Sequence, residues 1–166
     1  MLVLLEDDSP LRTYPVSTAK YGVGERSGSL CTPRGKHLIR AKIGAGQPVN
    51  AVFAGRRPTG EIYTPELGLR FPERDWILSR ILWLSGCEPG SNRLGEVDTM
   101  RRYIYIHGTA DEGAIGRPVS HGCVRMRNQD IMELFDLVPA GTPVEIVAGD
   151  DVREKGGGEP DPRHLQ

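Results

Sequence analysis

The chain has 166 residues, a net charge of −1, 21 glycines and 13 prolines. A nearly neutral chain of this length is one domain with a real core, and it offers no bulk charge to nucleic acid or an anionic membrane. Its Gly and Pro content and its lack of long periodic segments favour a turn-rich β fold over a helical bundle. Cys31, Cys87 and Cys123 are odd in number and widely spaced, so they read as reduced thiols rather than a disulfide framework.

In chain order, "MLVLLE" is a short apolar run, readable as strand or core segment, and "LRTYPVST" reads as a second strand beyond an acidic turn at Asp7 to Pro10. A Gly/Pro loop covers 22–33. His37 to Ile43 alternates, with Ile39, Ala41 and Ile43 opposite Arg40 and Lys42, which is the period of a strand. "PVNAVFA" predicts another strand, and 55–72 reads as an excursion. "PERDWILSRILWLSG" predicts a helix from Pro72 to Gly86, apolar on most sides and hence buried or covered. "RRYIYIHG" alternates again, setting Tyr103, Tyr105 and His107 on one face and Ile104 and Ile106 on the other. Asn128 suits the cap of a helix from Gln129 to Val138, whose Ile131, Leu134, Phe135 and Val138 form one stripe. "TPVEIV" is a final strand, and 149–166 is expected to be a flexible tail after a domain over 1–148.

The stretch from Ile106 to Met126 holds two of the four histidines, Cys123 and four glycines. A thiol attacks only as thiolate, and an imidazole within reach can take its proton. His121 lies two residues before Cys123, and a loop after His107 can bring that ring back against the thiol. Gly122 permits a turn that aims N–H groups inward, as a site for an oxyanion requires. In an extended Cys-Val-Arg, Arg125 shares the Cys123 face about 7 Å away. Other readings stay open. Cys31 and Cys87 suit inert core positions, Arg125 and Arg127 suit solvated charges, and His107, His121 and Cys123 supply only three of the four ligands of a zinc site.

"YIHGTADEGAIGRPVSHGCVRMRNQDIMELF" resembles the catalytic core of the L,D-transpeptidase family of peptidoglycan enzymes. Its carriers are His107-Gly108 and, after a twelve-residue spacer, Ser120-His121-Gly122-Cys123. "YPVSTAK" and "TPRGKH" upstream are similar to the family's paired signatures. Arg125 stands where many members carry Asn, as in an Arg-bearing subgroup, and 75–102 looks like an insertion over the site. The resemblance implies a mostly β sandwich or barrel with one or two helices, and no metal or cofactor. It implies Cys123 as nucleophile, His107 as base, the Gly108 carbonyl as its orienter, and Ser120 and His121 as braces. Gly122 and Cys123 would donate N–H groups to the oxyanion. Substrate contacts are not carried over from the family; Arg125, on the Cys123 face, is expected to bind the D-Ala carboxylate as a planar fork, and Tyr105 to contact substrate beside it. The implied substrate is a peptidoglycan stem tetrapeptide, cleaved between its third residue and D-Ala through a thioester. No signal peptide or membrane span is visible. The expectation is therefore a cytoplasmic L,D-carboxypeptidase of peptidoglycan recycling, or a periplasmic enzyme if a leader has been trimmed. The alternatives are an L,D-transpeptidase and, from another class, a module that only binds such peptides.

Overall fold

The computed structural model describes residues 1–149. Strands β1 (Leu2–Glu6) and β2 (Ser9–Tyr14) form a hairpin. Its turn residues Asp7 and Asp8 both adopt left-handed backbone (φ 49° and 61°), a twist that matches paired strands. The remaining strands are β3 (Gly35–Ile43), β4 (Ala51–Ala54), β5 (Arg57–Ile62), β6 (Ile77–Gly86), β7 (Tyr105–Thr109), β8 (Val124–Met126) and β9 (Pro143–Ile146). They make one seven-stranded sheet. Two α-helices accompany it, α1 (Pro65–Arg70) and α2 (Asn128–Leu137). The protein is thus mostly β, as expected.

Strand β6 is the centre of the sheet. One of its edges pairs with β4 and β3, the other with β7, and β7 carries β8 in parallel. Leu82 and Leu84 of β6 join Ile104, Ile106, Val124 and Met126 against α2, where Ile131, Leu134 and Phe135 complete the main core. Leu2 and Leu4 of the hairpin pack against the same core. Ile81 faces the other way, with Ala51, Phe53, Tyr105 and the partly buried Trp83 and Cys123. The main core therefore fixes the back of the sheet, and the chemistry-bearing side chains lie on its front.

Several expectations are corrected. Residues 77–86 are not a helix, and the segment is not an insertion over the site. Both faces of β6 are covered, so its apolar residues do not alternate with polar ones, and such a segment carries no period by which to tell strand from helix. The excursion at 55–72 contains β5, paired with β4, and α1, whose N-cap Thr64 accepts from the Leu67 amide. Asn128 does not cap α2. Its backbone amide is itself capped by Glu112, whose Oε1 accepts at 2.7 Å. The other predicted strands are found with shifted ends: β2 runs Ser9–Tyr14, and β7 begins only at Tyr105, after a turn at 101–103 in which Tyr103 is left-handed (φ 56°). The α2 stripe is found where it was expected. All three cysteines are free, but neither Cys31 (half-buried) nor Cys87 (exposed) lies in the core. Of the expected tail, 150–166 lie outside the described residues.

Candidate active site

The sheet brings His107 and Cys123 to one cleft. Parallel pairing puts Ile106 opposite Val124 and His107 opposite Arg125, so Cys123 enters just before β8 next to Tyr105. Along 123–126 burial alternates. Val124 and Met126 point into the core, while Cys123 and Arg125 face a cleft of about 300 Å³. His107, Ser120, His121, Tyr103, Tyr105, Arg56 and Asp75 line the same cleft.

The turn before the thiol is braced from two sides. Ser120 Oγ donates to the Cys123 carbonyl at 2.6 Å and accepts from the Gly122 amide at 3.2 Å. Thr32 Oγ1 donates to the Gly122 carbonyl at 2.9 Å. Gly122 has φ 128°, and a Cβ there would lie 3.0 Å from Ile104 Cδ1 and 3.2 Å from the Cys31 carbonyl oxygen. That carbonyl accepts in turn from Arg102, whose guanidinium also donates to the carbonyls of Gly24 and Glu25. The 22–33 loop is thus pinned beneath the thiol turn. His121 is exposed at the rim, so the bracing falls to Ser120 and Thr32.

His107 is 1% exposed. Its Nδ1 lies 2.6 Å from the Gly108 carbonyl oxygen. A carbonyl only accepts, so Nδ1 carries the proton and Nε2 of the neutral ring holds a free lone pair. Burial pushes the His107 pKa down, which keeps the ring neutral. Burial also pushes the Cys123 thiol up to about 11, against the opposing pull of the Tyr105 amide and of Arg125 and Arg102. The Tyr105 amide donates to Sγ at 3.3 Å, and the thiol donates to the Tyr103 carbonyl at 3.4 Å. In the resting site the proton is on sulfur. A preformed thiolate–imidazolium pair, which residue types alone would allow, is disfavoured by that enclosure.

Gly108 is held from behind by Ser79, which sequence reasoning did not single out, and by Asn128, which it offered only as a helix cap. A Cβ on Gly108 would collide with Asn128 Oδ1 and with the Leu78 carbonyl oxygen. Asn128 Nδ2 donates to the Thr109 carbonyl at 2.8 Å and to Glu112 Oε1 at 2.9 Å. Its Oδ1 accepts from Ser79 Oγ at 2.7 Å. Ser79 is fully buried at φ 71°, within the irregular register between Leu78 and Ile81 of β6. Strained backbone of this kind persists where surrounding contacts hold it. The network fixes the strand segment that carries the carbonyl beneath His107.

At the cleft walls, Arg125 is 15% exposed and lies 3.5 Å from Asp75, which is 60% exposed. Tyr105 is buried, and its hydroxyl accepts from Arg56 at 3.1 Å. Arg56 and Asp75 were also not foreseen. Both sit in short turns with no motif of their own. Among the described residues, no cluster of His, Cys, Asp and Glu side chains could hold a metal ion, and no helix is long and apolar enough to cross a membrane.

Fold and site together define a mostly β protein with a cysteine–histidine cleft at the front of its sheet. The L,D-transpeptidase catalytic domain model, YkuD, matches residues 1–146, and the chain belongs to that family. YkuD of Bacillus licheniformis is 48% identical over 46 residues, which are 28% of this chain and 28% of that protein. The protein named Probable L,D-transpeptidase YbiS, of Escherichia coli (strain K12), is 54% identical over 46 residues, 28% of this chain and 15% of that protein. The match thus spans less than a third of each relative's length. The solved Ldtfm–avibactam carbamoyl enzyme is similar in fold, with TM-score 0.50 and 16% identity over 87% of this chain and 43% of that one.

Proposed function

We propose that Cys123 and His107 catalyse acyl transfer on peptidoglycan stem tetrapeptides, cleaving the bond between the third residue and D-Ala. One observation carries the reading. The Gly108 carbonyl fixes the proton on His107 Nδ1, leaving Nε2 as a base in the cleft that holds the thiol. As Sγ attacks the third residue's carbonyl carbon, its proton passes to His107 Nε2 and a C–S bond forms. The Gly122 amide is engaged by Ser120 Oγ, so the oxyanion falls to the Cys123 amide. Collapse breaks the C–N bond, His107 returns its proton to the departing amine, and a thioester remains. His107 then takes a proton from the acceptor as it attacks the thioester carbon; the C–O or C–N bond forms, the C–S bond breaks, and His107 returns that proton to the sulfur.

We assign water as the acceptor, making the reaction an L,D-carboxypeptidase step. The support is the open cleft, whose Asp75 wall is well exposed to solvent. A cytoplasmic setting suits this branch, because polymeric amine acceptors lie outside the membrane. The names of the relatives favour a second reading, transfer to an amine. In either branch Arg125, a planar fork, holds the terminal carboxylate of the donor, and Arg125→Lys should raise KM more than it lowers thermal stability. The test is incubation with a disaccharide tetrapeptide and mass spectrometry. Loss of alanine alone means hydrolysis, and a dimer or exchanged D-amino acid means transfer. No product, and no mass increase on Cys123, would overturn acyl transfer itself.

A further inference from the structure

Two guanidinium groups enter the cleft from strands three spacings apart in the sheet, about 14 Å at the backbone. One is Arg125 on β8, and the other is Arg56 in the turn between β4 and β5. Arg125 stands beside Asp75. Arg56 has no carboxylate partner among the described residues. Its guanidinium lies 4.8 Å from the Trp83 ring and 4.9 Å from the Tyr103 ring, and it donates to the Tyr105 hydroxyl. Trp83 is itself fixed by donation to the Met100 carbonyl at 3.1 Å. The cation is therefore held in one orientation before any ligand arrives, so little side-chain freedom is left to lose on binding.

The backbone points the same way. Gly55 and Arg56 link Ala54 to Arg57 in a two-residue turn with φ 53° and 63°. Both positions need left-handed backbone, and Gly or Asn takes the second at least steric cost. An arginine there costs the turn and puts a guanidinium at the cleft. Strain of that kind gathers at binding sites.

We infer that Arg56 is a second anion subsite, which takes a carboxylate of the acyl donor other than the terminal one held by Arg125. The inference rests on the acyl-transfer reading above, and it names the substrate class. The donor carries a further carboxylate, either on the side chain of its third residue, as in diaminopimelate, or on the α-carbon of its second, D-Glu. A lysine third residue leaves only the D-Glu group.

Three peptides distinguish the sources: L-Ala-γ-D-Glu-meso-diaminopimelate-D-Ala, the same peptide amidated on the side-chain carboxylate of the third residue, and the same amidated on the α-carboxylate of D-Glu. The measurement is kcat/KM for wild type and for Arg56→Asn, a residue that accepts the turn, with thermal melting of both. Wild type should lose about ten- to a hundredfold on one of the two amides, the loss expected for a missing charge-assisted hydrogen bond. Arg56→Asn should lose as much on the parent peptide, should no longer discriminate, and should keep its melting temperature within a few degrees. Arg56→Lys, with the charge but not the fork, should recover part of the preference.

Equal use of all three peptides by wild type would overturn the subsite. So would an Arg56→Asn enzyme that falls equally on all three, which is the mark of a structural brace. No turnover of any peptide by wild type would instead overturn the acyl-transfer reading. Calorimetric binding of the three peptides to Cys123→Ala would then decide the subsite alone, and absent or equal affinities would overturn it.

Discussion

His37 on β3 and His107 on β7 are both 1% exposed, and burial pushes the pKa of both down. Each ring has Nδ1 against a backbone carbonyl oxygen, that of Gly35 at 2.9 Å for His37 and that of Gly108 at 2.6 Å for His107. They part at the other nitrogen. His37 Nε2 meets Thr99 Oγ1 at 2.9 Å, whereas His107 Nε2 has no hydrogen-bond partner among the described residues and faces a thiol-bearing cleft. Burial, neutrality and an oriented tautomer are thus shared by a structural and a candidate catalytic ring. The unmet nitrogen separates them.

Substitution should break the two rings apart. His107→Ala should cost about 10²- to 10⁴-fold in kcat, the usual share of a general base, with a modest change in melting temperature. His37→Ala should leave kcat within a few-fold and lower stability by about 1–3 kcal/mol, since the Gly35 carbonyl and Thr99 hydroxyl lose a buried partner. A His37 variant that is stable but inactive would reverse the assignment. Asn128→Ala should fall between them. It removes the side chain's bonds to Ser79, Thr109 and Glu112, for about 1–3 kcal/mol. By loosening Gly108 it should also cost about 10- to 100-fold in kcat, because small misplacements of a base are expensive. Loss of stability alone would confine Asn128 to scaffolding.

The two rings should act together against acid. In the folded chain both pKa values lie below the unfolded value of about 6.5. The unfolded chain therefore binds protons that the folded chain refuses. Their contribution to stability is complete above that value and is lost as the pH falls below it and through the lower folded values. Melting temperature should drop between neutral and mildly acidic pH, and His37→Gln should shallow the drop even where the variant starts lower. A profile unchanged by substitution of either ring would show that other groups govern it.

The residues of the candidate site were legible because their chemistry is local. A thiol two residues after a histidine, a glycine at the turn, and a second histidine ending an alternating strand could be read from one short stretch. What positions them was not. β6 carries apolar residues on both faces, so its pattern fitted a helix as well as a strand, and only its three partner strands decide. Asn128 read as a cap because its neighbours suit a helix start, yet its partners lie 16 to 49 residues away in the chain. Arg56 gave no signal, because one arginine in a Gly-containing turn is ordinary until the rings of Trp83 and Tyr103 close on it. The thiol's resting state was also out of reach, since it depends on enclosure and not on residue type.

That resting state is the point on which the account stands. The direct measurement is the rate of Cys123 alkylation by iodoacetamide against pH, in a chain carrying Cys31→Ala and Cys87→Ala so that one thiol reports. With the proton on sulfur and burial raising its pKa, the rate should stay low at neutral pH and climb toward a midpoint of about 11. A profile already at its plateau near pH 7 would mean a standing thiolate beside a protonated His107, and would contradict a neutral base that takes the proton only as the thiol attacks.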